Sequence, residues 1–307
     1  MSLFVVVGAG PVGRETAKLL ASQGHEVKLV SRRARAYPVD SGIRSVALDA
    51  TDGRGLAQVS AGAVAIFMCA MAPYHRWPAD FPPIMSGVID AAESVGARLV
   101  VLGNIYGYGA GARSPLTPHF PLAPTSVKGR VRTAMWQHTL GSTVPAIEVR
   151  ASDYLGDGAA SLFTLMALPP LLVGEPSKML GDLDALHAWS FTKDVARTLV
   201  AASRYSGDWG RAFHVPSQHM SIRDLAFRFA ELAAVELPKL RTLTAKELEV
   251  LGRENEIMRE VIEMAYLFQQ ECILDASETE RLLGVSASDL DTMIKDTLRN
   301  KSATPTR

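Results

Sequence analysis

Gly8, Gly10 and Gly13 stand as G-x-G-x-x-G inside VVVGAGPVGRETAKLL, residues 5–20. Such spacing suits phosphate chemistry: the first glycine permits a tight turn, the second lets backbone approach a pyrophosphate, and the third lets helix and strand pack closely. Pro11 fits the first helical turn, where its missing N–H has no intrahelical partner, and Val12 begins the apolar face of the helix. The amides and positive helix end there suit the phosphates of a dinucleotide. Ser31, Arg32 and Arg33 follow the next apolar run, where an acid would take a ribose 2′-hydroxyl and an arginine a 2′-phosphate. NADP(H) is therefore the preferred cofactor on this reading, with NAD(H) as the other candidate. Glu26 lies at the wrong end of that strand to reach the ribose. Asp49, after the third apolar run, can accept from an adenine amino group, and Ala50 and Ala70 complete the expected cofactor set.

These residues need a frame. Leu3 to Val7, Val27 to Val30, Ser45 to Leu48, Val64 to Cys69 and Leu99 to Leu102 are short continuous apolar runs, as in strands buried on both faces. A helical pattern follows the glycines until Gly24, and another is opened by Pro82 and Pro83, carries Ile84, Val88, Ala91, Ala92 and Val95, and ends at Gly96. Alternation of this kind predicts an α/β, Rossmann-type doubly wound parallel sheet with ligands at the carboxyl ends of its strands. After about residue 155 the texture changes, and a smaller, mainly helical C-terminal unit is expected over 156–307, with part of 186–215 returning to the dinucleotide-binding domain of 1–155. Thr244 with Glu247 and Ser277 with Glu280 read as capping boxes, the first opening one long helix through Phe268. Met258, Ile262, Ala265 and Phe268 read as core or as the face of a homodimer.

Composition narrows the function classes. Lys plus Arg and Asp plus Glu are both 32 among 307 residues, so no global field gathers nucleic acid or an anionic membrane, and a small-molecule partner is favoured. Cys69 and Cys272 lie far apart and predict no disulfide framework. The longest apolar run, Ala61 to Ala72, is too short to span a bilayer, and no leader pattern is read at the N-terminus, so a cytoplasmic setting is expected. Asp182, Asp184 and His187 match no metal-ligand spacing, and no metal is expected.

VVGAGPVG, LDATD, VVLGNIYGYG, PLAPTSVKG, EVRASDYLG and SFTKDVA together make the chain resemble the extended short-chain dehydrogenases/reductases, the NAD-dependent epimerase/dehydratase group. Members of that group place a Ser or Thr after strand five and Tyr-x-x-x-Lys in the next long helix, whose tyrosine exchanges a proton with the substrate oxygen beside a lysine that holds the nicotinamide ribose. Here Asn104 stands where the serine would be, Lys128 matches the lysine, and Pro124 replaces the tyrosine. No tyrosine in the chain is followed four residues later by lysine. The resemblance implies a catalytic set of Lys128, Asn104 and Tyr106, the last as replacement acid, with Lys128 also at the ribose. Tyr74, His75, Tyr108, Asp153 and Tyr154 are the expected substrate contacts. The reading is an NADP(H)-dependent oxidoreductase or epimerase of atypical type, acting on a small carbonyl or hydroxyl compound. The alternative is a non-catalytic dinucleotide sensor resembling the nitrogen-metabolite-repression regulators.

Overall fold

The structure is a computed structural model that describes residues 1–299. Its frame is β1 (Leu3–Val7), α1 (Pro11–Ser22), β2 (Glu26–Ser31), β3 (Ile43–Ala47), α2 (Gly53–Val59), β4 (Ala63–Met68), α3 (Trp77–Val95), β5 (Arg98–Asn104), α4 (Val127–Leu140) and β6 (Ala146–Ala151). Across the sheet the order is Arg211–His214, β6, β5, β4, β1, β2, β3, with every neighbouring pair parallel. Val7 pairs with Val30 on one side and Met68 on the other. Chain order thus reverses on either side of β1, which opens a crevice beyond its carboxyl end. The β1, β4 and β5 runs are apolar because helices cover both faces, and Val5, Ile66 and Val100 are fully buried. This is the Rossmann-like α/β fold read from the sequence.

The second unit is mainly helical, as expected, and also carries short strands. Asp153–Leu155, Leu186–Phe191 and Gln218–Ser221 form a three-stranded sheet, and Ser177–Met179 pairs with Leu240–Thr242. Between these strands the chain returns to the large sheet, where helix Thr192–Ala202 packs on α1 and Arg211–His214 pairs with β6.

Three local expectations need correction. Helix α3 starts at Trp77, with Pro82 and Pro83 inside it, because the buried Trp77 donates its indole N–H to the Ala72 carbonyl at 3.2 Å and Arg76 forks onto Asp80 at 2.6 and 2.8 Å. The capping box of Thr244 and Glu247 forms, but the helix stops at Glu254; Asn255 turns extended and caps a new helix, Glu256–Ile262, by accepting from the Met258 N–H. Ser277 is already inside its helix, and its own N–H donates to Asp275, so it caps nothing.

Candidate functional site

The carboxyl ends of β1, β2, β4, β5 and β6 open into one cleft of about 780 Å³. Its floor is the glycine turn. A side chain at Gly8, whose φ is +112°, would strike the Ala70 amide nitrogen at 2.4 Å, and one at Gly13 would sit 1.9 Å from the Gly8 carbonyl oxygen. Those two glycines close the turn against β4. Gly10 differs: a Cβ there meets no heavy atom within 4 Å, so its hydrogen faces open space. It is also the N-cap of α1, and no side chain caps that helix end. Amides left without side-chain partners beside an open approach are what an anionic group requires. The residues therefore fit a dinucleotide, with Gly8 to Gly13 at its phosphates.

Ser31, Arg32, Asp49, Ala50 and Ala70 line the same end of the cleft. Arg32 is exposed, and Ser31 Oγ donates to the Arg33 carbonyl at 2.7 Å, which shapes the loop. Asp49 Oδ1 accepts from the Thr51 amide at 3.0 Å and hydroxyl at 2.9 Å. Those bonds, and more weakly Arg32, hold its carboxyl below the usual range.

At the other end, β5 leads into a single tight turn over Tyr106–Tyr108, fixed by the Asn104 side-chain oxygen accepting from the Tyr106 N–H at 3.2 Å. Tyr106 stacks on Trp77, the ring centroids 6.0 Å apart, and Tyr74 packs edge-on against the same indole at 5.2 Å. Burial, reinforced by the Asp153 charge, pushes the Tyr106 hydroxyl up to about 12. Burial also raises Tyr74 and Tyr154, and it raises the Cys69 thiol to about 12. These groups stay protonated at neutral pH. Asp153 faces the cleft with His187 behind it, Nε2 to Oδ2 2.9 Å. An ionised carboxylate makes that ring nitrogen the donor. Phe268 stacks on the imidazole at 4.5 Å, and His187 is 2% exposed.

Residues 8–131 match the NAD(P)H-binding family. The chain is similar over 99% of its length to 99% of the Bordetella bronchiseptica enzyme WbmH in complex with NAD+, at 19% identity and a TM-score of 0.78. UDP-glucose 4-epimerase from Bifidobacterium longum in complex with NAD+ and UDP aligns over 98% of this chain and 99% of its own, at 15% identity and a TM-score of 0.77. UDP-glucuronic acid 4-epimerase from Bacillus cereus in complex with NAD aligns over 97% of both chains, at 14% identity and a TM-score of 0.75. No curated protein matches the sequence. The chain therefore carries an NAD(P)H-binding match over residues 8–131 and shares the fold of these three proteins.

Within this fold, the cleft wall includes the predicted Gly8, Gly10, Pro11, Val12, Gly13, Asn104, Tyr106, Tyr74, Asp153 and Tyr154. Four predicted residues lie outside that wall: Arg33, His75, Tyr108 and Lys128. Tyr108 is built into the core, where its hydroxyl accepts from Arg150 at 2.8 Å and lies 2.6 Å from His214 Nε2. Lys128, expected at the ribose, is 1% exposed; its ammonium ion-pairs with Glu260, lies 3.8 Å from Glu263 and sits 4.5 Å above the Tyr74 ring. Arg132, one helical turn further along α4, lines the cleft instead. It donates to the Leu102 carbonyl at 3.1 Å and packs 4.9 and 4.5 Å from the Trp77 and Phe81 ring centroids. Sequence reading missed Arg132 as a site residue, although its four-residue offset from Lys128 on one helix marks it. Asp184 forks onto Arg223 at 2.6 and 3.1 Å, and His187 turns to Asp153. Among the described residues, no helix is long and apolar enough to cross a membrane.

Proposed function

We propose that this chain is an NADP(H)-preferring oxidoreductase or epimerase acting on a small carbonyl or hydroxyl compound, with Tyr106 as the acid at the substrate oxygen. The observation that carries the reading is Tyr106 in the cleft beyond the glycine turn, its hydroxyl kept protonated by burial. When bound, the nicotinamide supplies hydride exchange with the substrate carbon. Tyr106 gives its proton to the oxygen that gains charge, and the Tyr74 hydroxyl and Arg132 guanidinium, both of which favour the phenolate, hold the anion left behind. Asn104 fixes the turn that aims Tyr106. At the other end, Arg32 offers a cation where a 2′-phosphate would lie, and guanidinium suits that anion.

The test is turnover. With a carbonyl substrate found by screening with NADPH, Tyr106→Phe should lower kcat by roughly 10²- to 10⁴-fold, the usual worth of a positioned acid, and leave NADPH affinity nearly intact. A fully active Tyr106→Phe enzyme removes Tyr106 from the role. The absence of turnover with every carbonyl and alcohol screened counts against the enzyme reading itself.

A further inference from the structure

Both epimerase neighbours are named for UDP-sugar substrates. The far wall of this cleft has a different character. Leu162, Leu165, Ile257, Val261, Met264 and Phe268 line it, contributed by the segment after residue 158 and by the helical pieces around 256–268. Leu165 and Ile257 keep 63% and 53% of their surface exposed on the cleft rim, so the apolar wall continues to its mouth.

Charge points the same way. A nucleoside diphosphate needs cations near its phosphates. Among the described residues that line the cleft, the cations are Arg32, at the cofactor's adenosine end, and Arg132. Arg132 is already engaged by the Leu102 carbonyl and by two aromatic rings, and it is 9% exposed. Lys128, the other nearby cation, is neutralised by Glu260 with Glu263 beside it. Asp153 faces the same space with its own negative charge. Ser161 bonds within its own turn to Thr164, and the Ser152 and Thr192 hydroxyls, which have no hydrogen-bond partner among the described residues, are buried beneath the surface of the cleft. Finally, about 780 Å³ must hold dinucleotide and substrate together, a volume usual for one drug-sized ligand.

We infer that the substrate half of the cleft takes a small, uncharged, chiefly apolar carbonyl or alcohol and rejects a nucleoside diphosphate. The inference rests on the function proposed above and names its substrate class. Specificity then comes from shape and apolar contact on the far wall, with the Tyr106 hydroxyl marking where the one oxygen sits.

The experiment is equilibrium binding by calorimetry, on the protein alone and saturated with NADP+, using the alkan-2-ones from acetone to 2-nonanone and, separately, UDP and UDP-glucose. Affinity should rise about fourfold per added methylene until the cleft is filled, while UDP and UDP-glucose show no saturable binding below about 1 mM. Leu165→Asp, at an exposed rim position that the fold does not need, should weaken 2-nonanone about tenfold without changing NADP+ affinity. A flat response along the ketone series, no ketone binding at all, or tight binding of UDP overturns the inference. Failure to bind NADP+ or NAD+ would instead overturn the proposed function, and the ketone series on the protein alone still decides the apolar site.

Discussion

Replacing Gly10 by valine should separate a nucleotide site from a mere turn. Gly10 has φ −69°, which any residue adopts, and a Cβ there meets nothing within 4 Å. The fold therefore loses only the small preference of an N-cap for glycine over valine, under about 1 kcal/mol. For a chain of this size that lowers Tm by roughly 2–4 °C. The binding cost is larger, because the valine occupies the open approach to the α1 amides. Amide bonds to a charged group contribute about 1.5–3 kcal/mol each, so losing two removes at least about 3 kcal/mol, or roughly 150-fold in affinity. Calorimetric titration with NADPH and NADH, alongside a thermal melt by circular dichroism, reads both quantities. Gly13→Ala is the contrasting control: its Cβ would lie 1.9 Å from a carbonyl oxygen, so that variant should lose stability by about 1–3 kcal/mol or more. A folded Gly10→Val protein that binds the dinucleotide as well as wild type would refute the argument.

Other perturbations test other parts. Arg32→Ala should weaken NADPH by a charge-assisted bond, about 1.5–3 kcal/mol, and leave NADH nearly unchanged; a calorimetric preference of the wild type for NADH contradicts the assignment. Lys128→Met strands Glu260 and Glu263, which are 28% and 24% exposed, so urea unfolding should show a loss of roughly 1–3 kcal/mol after allowance for solvent screening. The loss should shrink in a Glu260→Gln, Glu263→Gln background, and NADPH affinity should change little; an affinity loss matching Gly10→Val would place Lys128 at the ribose after all. His214 is fully buried, and burial, helped by Arg150, lowers its pKa to about 3. Because the folded pKa lies below the unfolded one, the unfolded chain takes the proton first, and stability falls as pH drops from about 6.5 toward 3, by up to about 1.4 kcal/mol per unit. His214→Gln should remove that share of the slope, and identical slopes would show that His214 is not the group responsible.

The dinucleotide half was legible because its signals are local. Continuous apolar runs such as Phe4 to Val7 mark strands covered on both faces, and three glycines at fixed offsets state a turn in which a Cβ added at Gly8 or Gly13 would lie only 2.4 or 1.9 Å from backbone atoms. The second unit was less legible. Its strands are three to six residues long, too short for alternation to show against the surrounding helices. The break at Asn255 was hidden because asparagine tolerates a helix interior and caps one equally well, and the choice depends on packing.

The phase of α4 explains why Arg132, and not the expected Lys128, lines the cleft. An ordinary amphipathic helix announces its buried face by an apolar stripe, but α4 buries Lys128, Arg132 and Thr133 beside Met135 and Trp136, so hydropathy assigns no face. What sets the phase is steric: a side chain at Gly129 would lie 2.5 Å from the Tyr106 carbonyl oxygen, so the helix must turn that bare position toward the loop after β5. With Gly129 facing that loop, Arg132 lies along the cleft, while Lys128 is left to the glutamates of 256–263. The tyrosines followed another rule. Tyr74, Tyr106 and Tyr154 come from segments after three different parallel strands, and parallel strands end at the same edge. A search along the sequence for an acid and a cation one helical turn apart does not find the proposed pair, because Tyr106 comes from the end of β5 and Arg132 from α4. The chemistry was distributed by topology, and a motif confined to one helix has no means of recording it.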